Sequence, residues 1–336
     1  MPEQPLDLAQ LHDFLRDPVR SFFQQRLKVT FRSAAESQSD EEAFVLDALA
    51  HWQLQQQVFS NLAQQLRESN LGQAQDWTGL VRQQLQQADA AGLLPIGAAG
   101  ELVSETLLQQ LPEQLQRFSR QLAQTTPLQR DFQLLRYRAS LTLPAGQQPA
   151  AVQTVDCIVQ DWLKQLRQAP DGSLWQVHLQ SEALQRDGQW RLSPLLLPWL
   201  MALLSAAAGQ PVRQLFVAPD GDLVLPPITA EDAAPLLELL LQRYLQGMQQ
   251  PLPFTLKLAS AWLQSKMDDK QLQKLAQMYD GSGFTAGQVE HNPYLRRAFA
   301  DFSRFWHPEL SPALAADLLQ PLLQALASGS EGRGVV

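Results

Sequence analysis

Between Leu192 and Val212 the chain runs for 21 residues, LSPLLLPWLMALLSAAAGQPV, without a charged side chain. So apolar a segment has two destinations: a membrane, which takes about 20 residues of helix, or an interior closed on all sides. Pro194, Pro198, Gly209 and Pro211 divide the run, and the proline and glycine boundary signals leave a helix of about three turns from Pro198 to Ala208. This predicts a helix buried against a sheet rather than a membrane span. A buried helix flanked by strands belongs to an α/β arrangement.

The flanks agree. To about Thr126 the texture is helical: Asp17 is placed to cap a helix that Pro18 opens, with Val19, Phe22, Phe23 and Arg26 at helical spacing. EEAFVLDALAHWQLQQQVFSNLAQQL puts Phe44, Leu49, Trp52 and Phe59 near one stripe, and DWTGLVRQQLQQADAAG reads as a helix closed by Gly92. From Leu128 the pattern turns to strands in FQLLRYRASLTL, AVQTVDCIVQDW and SLWQVHLQSEAL. SEALQRDGQWRLSPLLL reads as a hairpin around Asp187-Gly188, and VRQLFVAPDGDLVLPPI as another around Asp220-Gly221 before a capped helix from Thr229 to Met248. From Thr255 onward the chain is again helical. The expected organisation is a helical lobe at 1–127, an α/β core with C-terminal helices at 128–325, and a disordered tail at 326–336.

Thirty-four acidic against 26 basic residues give a net charge of −8, which confines any nucleic-acid contact to a local basic patch. The single cysteine, Cys157, excludes internal disulfides and Cys-rich zinc sites; in the apolar run Val155–Val159 it reads as a buried thiol in a reducing, cytoplasmic setting. The opening MPEQPLDLAQ is no secretory signal, and export is not expected.

Chemistry is sparse. His12, His51, His178, His291 and His307 show no metal-binding helix spacing, and neither a G-x-S-x-G elbow, a Walker loop nor a dinucleotide fingerprint occurs, so neither a metal nor a cofactor is expected. Metal-dependent DNA cleavage requires acids converging on a divalent ion with a lysine close by. In the hairpin the acids are Glu182 and Asp187; Asp187 suits the turn, and the second strand offers only Arg191. Asp268-Asp269-Lys270 spells D-x-K but reads as a helix start. Asp156, in an otherwise apolar strand, is expected at a strand edge or beside an arginine, with metal ligation as the alternative.

The ordered set LHDFLRDPVRSFFQQRLKVTF, LLPIGAAGEL, LLPWLMALLSAAAG, LFVAPDGDLVLPPI, PLPF with AWLQ, and LQKLAQMYDG resembles the C-terminal part of RecC proteins. These are the gamma chains of bacterial exodeoxyribonuclease V, the RecBCD helicase and nuclease. The start at MPEQPLDL suits a piece of a longer protein. The resemblance implies a restriction-endonuclease-like core similar to the RecB nuclease domain, with a degenerate active site. If Gly188 matches the turn glycine of those nucleases, Ser181 stands at the first aspartate, and Pro194 and Leu196 at the later aspartate and lysine. If Asp156 is the first carboxylate, the D-x-K position falls near His178 and Gln180.

The resemblance further implies a noncatalytic scaffold that holds RecB and RecD chains and guides double-stranded ends and separated single strands in double-strand break repair and recombination, with no membrane contact. DNA-binding candidates are Arg16, Arg20, Arg26, Lys28 and Arg32 near the start and Arg296, Arg297 and Arg304 near the end; solvated helix faces are the other reading. Tyr294, Phe299, Phe302, Phe305 and Trp306 suit either base stacking or a core, and their helical spacing favours the core. The alternatives are a divergent metal-dependent nuclease using Asp156, Glu182 and Asp187, and a protein-docking module without DNA contact.

Overall fold

A computed structural model describes residues 5–31, 48–68, 76–94, 97–128, 132–144, 152–265, 269–283 and 285–330. Asp7 caps α1 (Leu8–Arg16), its carboxylate accepting the Gln10 N–H at 2.7 Å. α2 (Pro18–Ser21) starts as the sequence indicates, with Pro18 in its first turn and the Arg20 N–H donating to Asp17 at 2.9 Å. A π-helical turn, Phe22–Arg26, follows. α3 (Ala48–Glu68), α4 (Trp77–Ala90) and α5 (Ala98–Ala123) form a helical layer. α4 ends where Gly92 takes φ 68° and the Leu93 N–H returns to the Ala88 carbonyl at 2.9 Å.

The strand region holds β1 (Thr126–Pro127), the 13-residue strands β2 (Phe132–Pro144) and β3 (Val152–Lys164), β4 (Arg167–Gln168) and β5 (Leu174–Leu179). Next come the two-residue strands β6 (Gln185–Arg186) and β7 (Gln189–Trp190), α6 (Ser193–Ala207), β8 (Val212–Ala218) and β9 (Gly221–Leu225). The mixed central sheet has the order β1-β4-β5-β8-β9. Only β5 and β8 run parallel, and α6 supplies the crossover that parallel neighbours require. The β2–β3 pair stands apart as its own antiparallel ribbon, turning at Gln165 (φ 56°) before β4 joins the sheet.

α7 (Ala230–Gln249) is capped by Thr229 as expected, the hydroxyl accepting the Asp232 N–H at 3.2 Å. α8 (Leu256–Gln264), α9 (Asp269–Asp280) and a minimal pair, β10 (Gly281–Ser282) with β11 (Thr285–Ala286), lead into α10 (Gln288–His291), α11 (Pro293–Ala298), α12 (Phe302–Phe305) and α13 (Leu310–Ser330). Asp268 lies outside the described residues, and Asp269 begins α9.

Alternation on the sheet separates two cores. Val177, Leu215 and Val217 face α3–α5, while Val212, Phe216 and Ala218 face α6, α7 and α13. α1 contributes Leu8, Leu11, Phe14 and Leu15 to the second core, so the helices of the first 127 residues do not share one core. Leu6 adds a parallel bridge to β3, its N–H donating to Ile158 O at 2.8 Å and its carbonyl accepting from Gln160 N–H at 2.9 Å. A third core joins Val19, Phe23 and Phe31 to α8–α12.

Two expectations are corrected. α6 begins at Ser193, five residues before Pro198: Pro194 lies in the first turn, where no N–H is needed, and Pro198 lies within the helix. An interior proline costs about 3 kcal/mol, less than the burial of Leu195, Leu196, Leu200 and Leu203 contributes at ~1.5–3 kcal/mol each. The tail is helical through Ser330, with Leu326 fully buried and Gly329 so near β9 that a Cβ there would lie 2.4 Å from the Val224 carbonyl oxygen. Residues 331–336 of the expected tail lie outside the described residues. Among the described residues no helix is long and apolar enough to cross a membrane.

Candidate nucleic-acid interface

At the Asp187-Gly188 hairpin, both central residues take positive φ, 52° and 75°, the conformation of a type I′ turn. The strands are only two residues each, and they are held from outside. Asp220, read from sequence as a turn residue, accepts the Leu184 N–H at 2.9 Å and the Gln185 N–H at 3.1 Å. Gln264 accepts the Trp190 N–H at 2.6 Å and donates to its carbonyl at 3.0 Å. The side-chain acceptor of Asp220 was legible only as an Asp-Gly turn signal; the Gln264 clamp left no local signal.

Each candidate carboxylate faces an arginine. Glu182 pairs with Arg191, Asp187 lies 3.8 Å from Arg186, and Asp156 lies 3.6 Å from Arg138 while accepting the Ser140 hydroxyl at 2.7 Å. Asp156 points outward because its neighbours Val155 and Cys157 take the buried face of β3. It is therefore the arginine-paired group the sequence suggests. Among the described residues no three His, Cys, Asp or Glu side chains gather in a metal-binding group.

Pro194 and Leu196 do not lie on a second hairpin strand. They belong to the start of α6, with Leu196 fully buried, because the strand stops at Trp190 and the leucine run is more stable as a buried helix. Ser181 is buried and accepts from Gln56. The register that begins at Asp156 leads to β5 instead. There His178 Nε2 bonds Gln214 Oε1 at 2.7 Å, its ring stacks on Phe216 at 5.0 Å, and burial drives its pKa down to about 4. Gln214 donates to Gln176 at 3.0 Å, which donates to the Lys164 carbonyl at 2.6 Å. Gln180 uses its backbone to receive Gln114 Nε2 at 2.6 Å.

The two basic clusters, separated by about 270 residues in sequence, share one helical body. Asn292 donates to Asp17 at 2.6 Å, Gln24 donates to the Tyr294 hydroxyl at 2.9 Å, and the Arg20 guanidinium lies 5.9 Å from the Tyr294 ring centroid. Burial raises the Asp17 pKa against the lowering effect of its Arg20 N–H and Asn292 bonds. Arg16, Arg20, Arg26, Lys28, Arg296, Arg297 and Arg304 are all exposed; Arg32 lies outside the described residues. Each of the six arginines occupies the last turn of its helix, where a cation complements the carbonyl end. Arg304 also lies 3.6 Å from Asp301. Tyr294, Phe299, Phe302, Phe305 and Trp306 pack in the third core, with Tyr279 and Phe305 stacked at 4.6 Å.

A groove of about 680 Å³ runs between α5 and β8–β9, lined by Arg117, Arg120, Trp175, Asp220 and Asp222 among others. Arg117 pairs with Asp222 and donates to the Ala218 carbonyl at 2.6 Å, and Gln121 donates to Asp222 at 3.2 Å. These charges hold the groove together.

The resemblance carried by the ordered segments agrees with what known proteins show. The family model for the RecC C-terminal domain matches residues 3–267. The chain is 28% identical over 320 residues to the RecBCD enzyme subunit RecC of Escherichia coli (strain K12), covering 88% of this chain and 24% of that protein. It thus spans about a quarter of the length of that relative. Arg296, Arg297 and Arg304 lie beyond the residues that the family model matches.

Proposed function

Since the chain belongs to the RecC C-terminal domain family, we propose that it is a noncatalytic module of a RecBCD-type helicase and nuclease. In this reading it is a cytoplasmic scaffold for RecB and RecD chains and a guide for DNA strands parted from a double-stranded end, in break repair and recombination. The observation that carries the noncatalytic part is the dispersal of Asp156, Glu182 and Asp187, each set against its own arginine. Metal chemistry needs carboxylates converging on one ion, and among the described residues these three form no such group.

A nuclease-like ancestry is part of the proposal. The succession β2, β3, β5, α6, β8, with a crossover helix joining parallel strands, supports it. In the register that starts at Asp156, His178 stands where an acid is needed and Gln180 where a lysine is needed. A largely buried neutral imidazole bonded to Gln214 fills such a position without attracting an ion.

Strand guidance draws on the exposed arginines of α1, α2, α11 and α12, where cations offset phosphates without reading sequence. Co-expression with RecB and RecD chains tests the scaffold role: both chains are expected to co-elute with a tagged form of this chain through size exclusion. Elution of this chain alone would overturn the proposal.

A further inference from the structure

The β2–β3 ribbon has two unlike faces. Inward, Leu135 and Ala139 meet Cys157, Val159 and Leu163, none more than 2% exposed. Outward, the two-residue period brings up Phe132, Leu134, Arg136 and Arg138, with Lys164 opposite Phe132 and Trp162 opposite Leu134. Phe132 is 58% exposed, Leu134 43% and Trp162 46%, and the two rings meet edge to face at 5.8 Å. Among the described residues, Phe132 and Trp162 are the only aromatics in the set of exposed large apolar side chains.

The charges on this face share one sign in excess. Arg138 is paired with Asp156 at 3.6 Å, whereas Arg136 and Lys164 are exposed, with no carboxylate within 4 Å among the described residues. On a chain of net charge −8 this is a local positive strip. Its aromatic pad and free cations lie within five residues of β2, Phe132 to Arg136, about 14 Å at ~3.4 Å per residue.

We propose that this outward face binds single-stranded DNA, with bases stacking on Trp162 and Phe132 while Arg136 and Lys164 meet the phosphates. Stacking needs base faces that a duplex conceals, and cations interleaved with exposed rings are the composition of single-strand grooves. The core of a protein interface is instead depleted in lysine, which this face carries at Lys164. The inference rests on the strand-guiding reading above and deepens it, placing a contact on the ribbon in addition to the helical arginines.

The test is fluorescence anisotropy of a labelled oligothymidylate with the whole chain across a salt series. Because the substituted side chains are exposed, circular dichroism is expected to show an unchanged fold. The double variant F132A/W162A should weaken binding about tenfold with an unchanged salt slope, and Trp162→Tyr alone should keep affinity within about threefold. R136Q/K164Q should lower the slope of log K against log salt by about 1.4, two single-strand phosphate contacts. Wild-type affinity in both double variants overturns the inference. If binding is then lost on R296Q/R297Q, the strand-guiding reading stands without the ribbon; if the wild-type chain binds no oligothymidylate at low salt, both fall. Ribbon variants that keep the oligothymidylate but lose RecB in co-elution also overturn it, making the face a protein contact.

Discussion

Two hairpins in this molecule each set an aspartate beside an arginine, and they are built in opposite ways. β6–β7 has an Asp-Gly turn of the strongest hairpin type and strands of two residues, fastened by Asp220 and Gln264. β2–β3 pairs 13 residues with 13, buries one face and leaves rings and cations on the other. The short hairpin carries the signal a sequence reader notices, and its polar groups go into holding it in place. The long ribbon has no such marker, yet its side chains are the ones left facing outward. A conspicuous turn reports local backbone geometry, whereas the availability of side chains depends on what packs against the strands.

This contrast can be broken most forcefully just past the short hairpin. Leu196→Lys restores the lysine that one register assigns there, but in a fully buried position of α6. A loss of more than about 4 kcal/mol is expected, read as a collapse of the urea midpoint; a wild-type midpoint would mean that the site opens to solvent.

The next effect lies on β5, between the hairpins. His178 has a folded pKa of about 4 against about 6.5 unfolded, so below pH 6.5 the unfolded chain binds a proton that the folded chain refuses. Stability is then fully present above pH 6.5 and falls as pH drops towards 4, by ~2–3 kcal/mol from this group. In His178→Gln that share of the decline should vanish in denaturation midpoints measured across the range.

Aspartates sharpen the comparison further. Asp220→Ala removes the acceptor of two backbone N–H groups and should cost about 2 kcal/mol. The same change at the exposed Asp156 should stay within about 0.5 kcal/mol. Equal effects would erase the distinction between an anchored hairpin and an open ribbon. Between these two effects, Gly188→Ala is expected to cost about 1 kcal/mol in thermal unfolding because its φ of 75° disfavours a side chain.

Much of the local structure was legible. The caps Asp17 and Thr229, the stop at Gly92 and the Asp220-Gly221 hairpin all occur as read, because each depends on a few adjacent residues. The start of α6 was misplaced because proline boundary rules ignore burial, which outweighs one missing backbone bond here. Alternation in β2 and β3 indicated which residues share a face, but a two-residue period does not say which strand is the partner; hence the ribbon's separation from the sheet was invisible. The meeting of the two basic clusters rests on Asn292 with Asp17 and on Tyr294 with Gln24, contacts that leave no trace in local pattern. That Glu182 has no acidic partner on the second strand was legible, but the arginines beside Asp156, Glu182 and Asp187 required the fold.

The central claim is that this module does no chemistry of its own, and the most direct measurement is incubation of the purified chain with linear DNA and magnesium or manganese. Intact DNA over hours, with or without either metal, is the expected result. Metal-dependent cleavage that Asp156→Ala abolishes would contradict it.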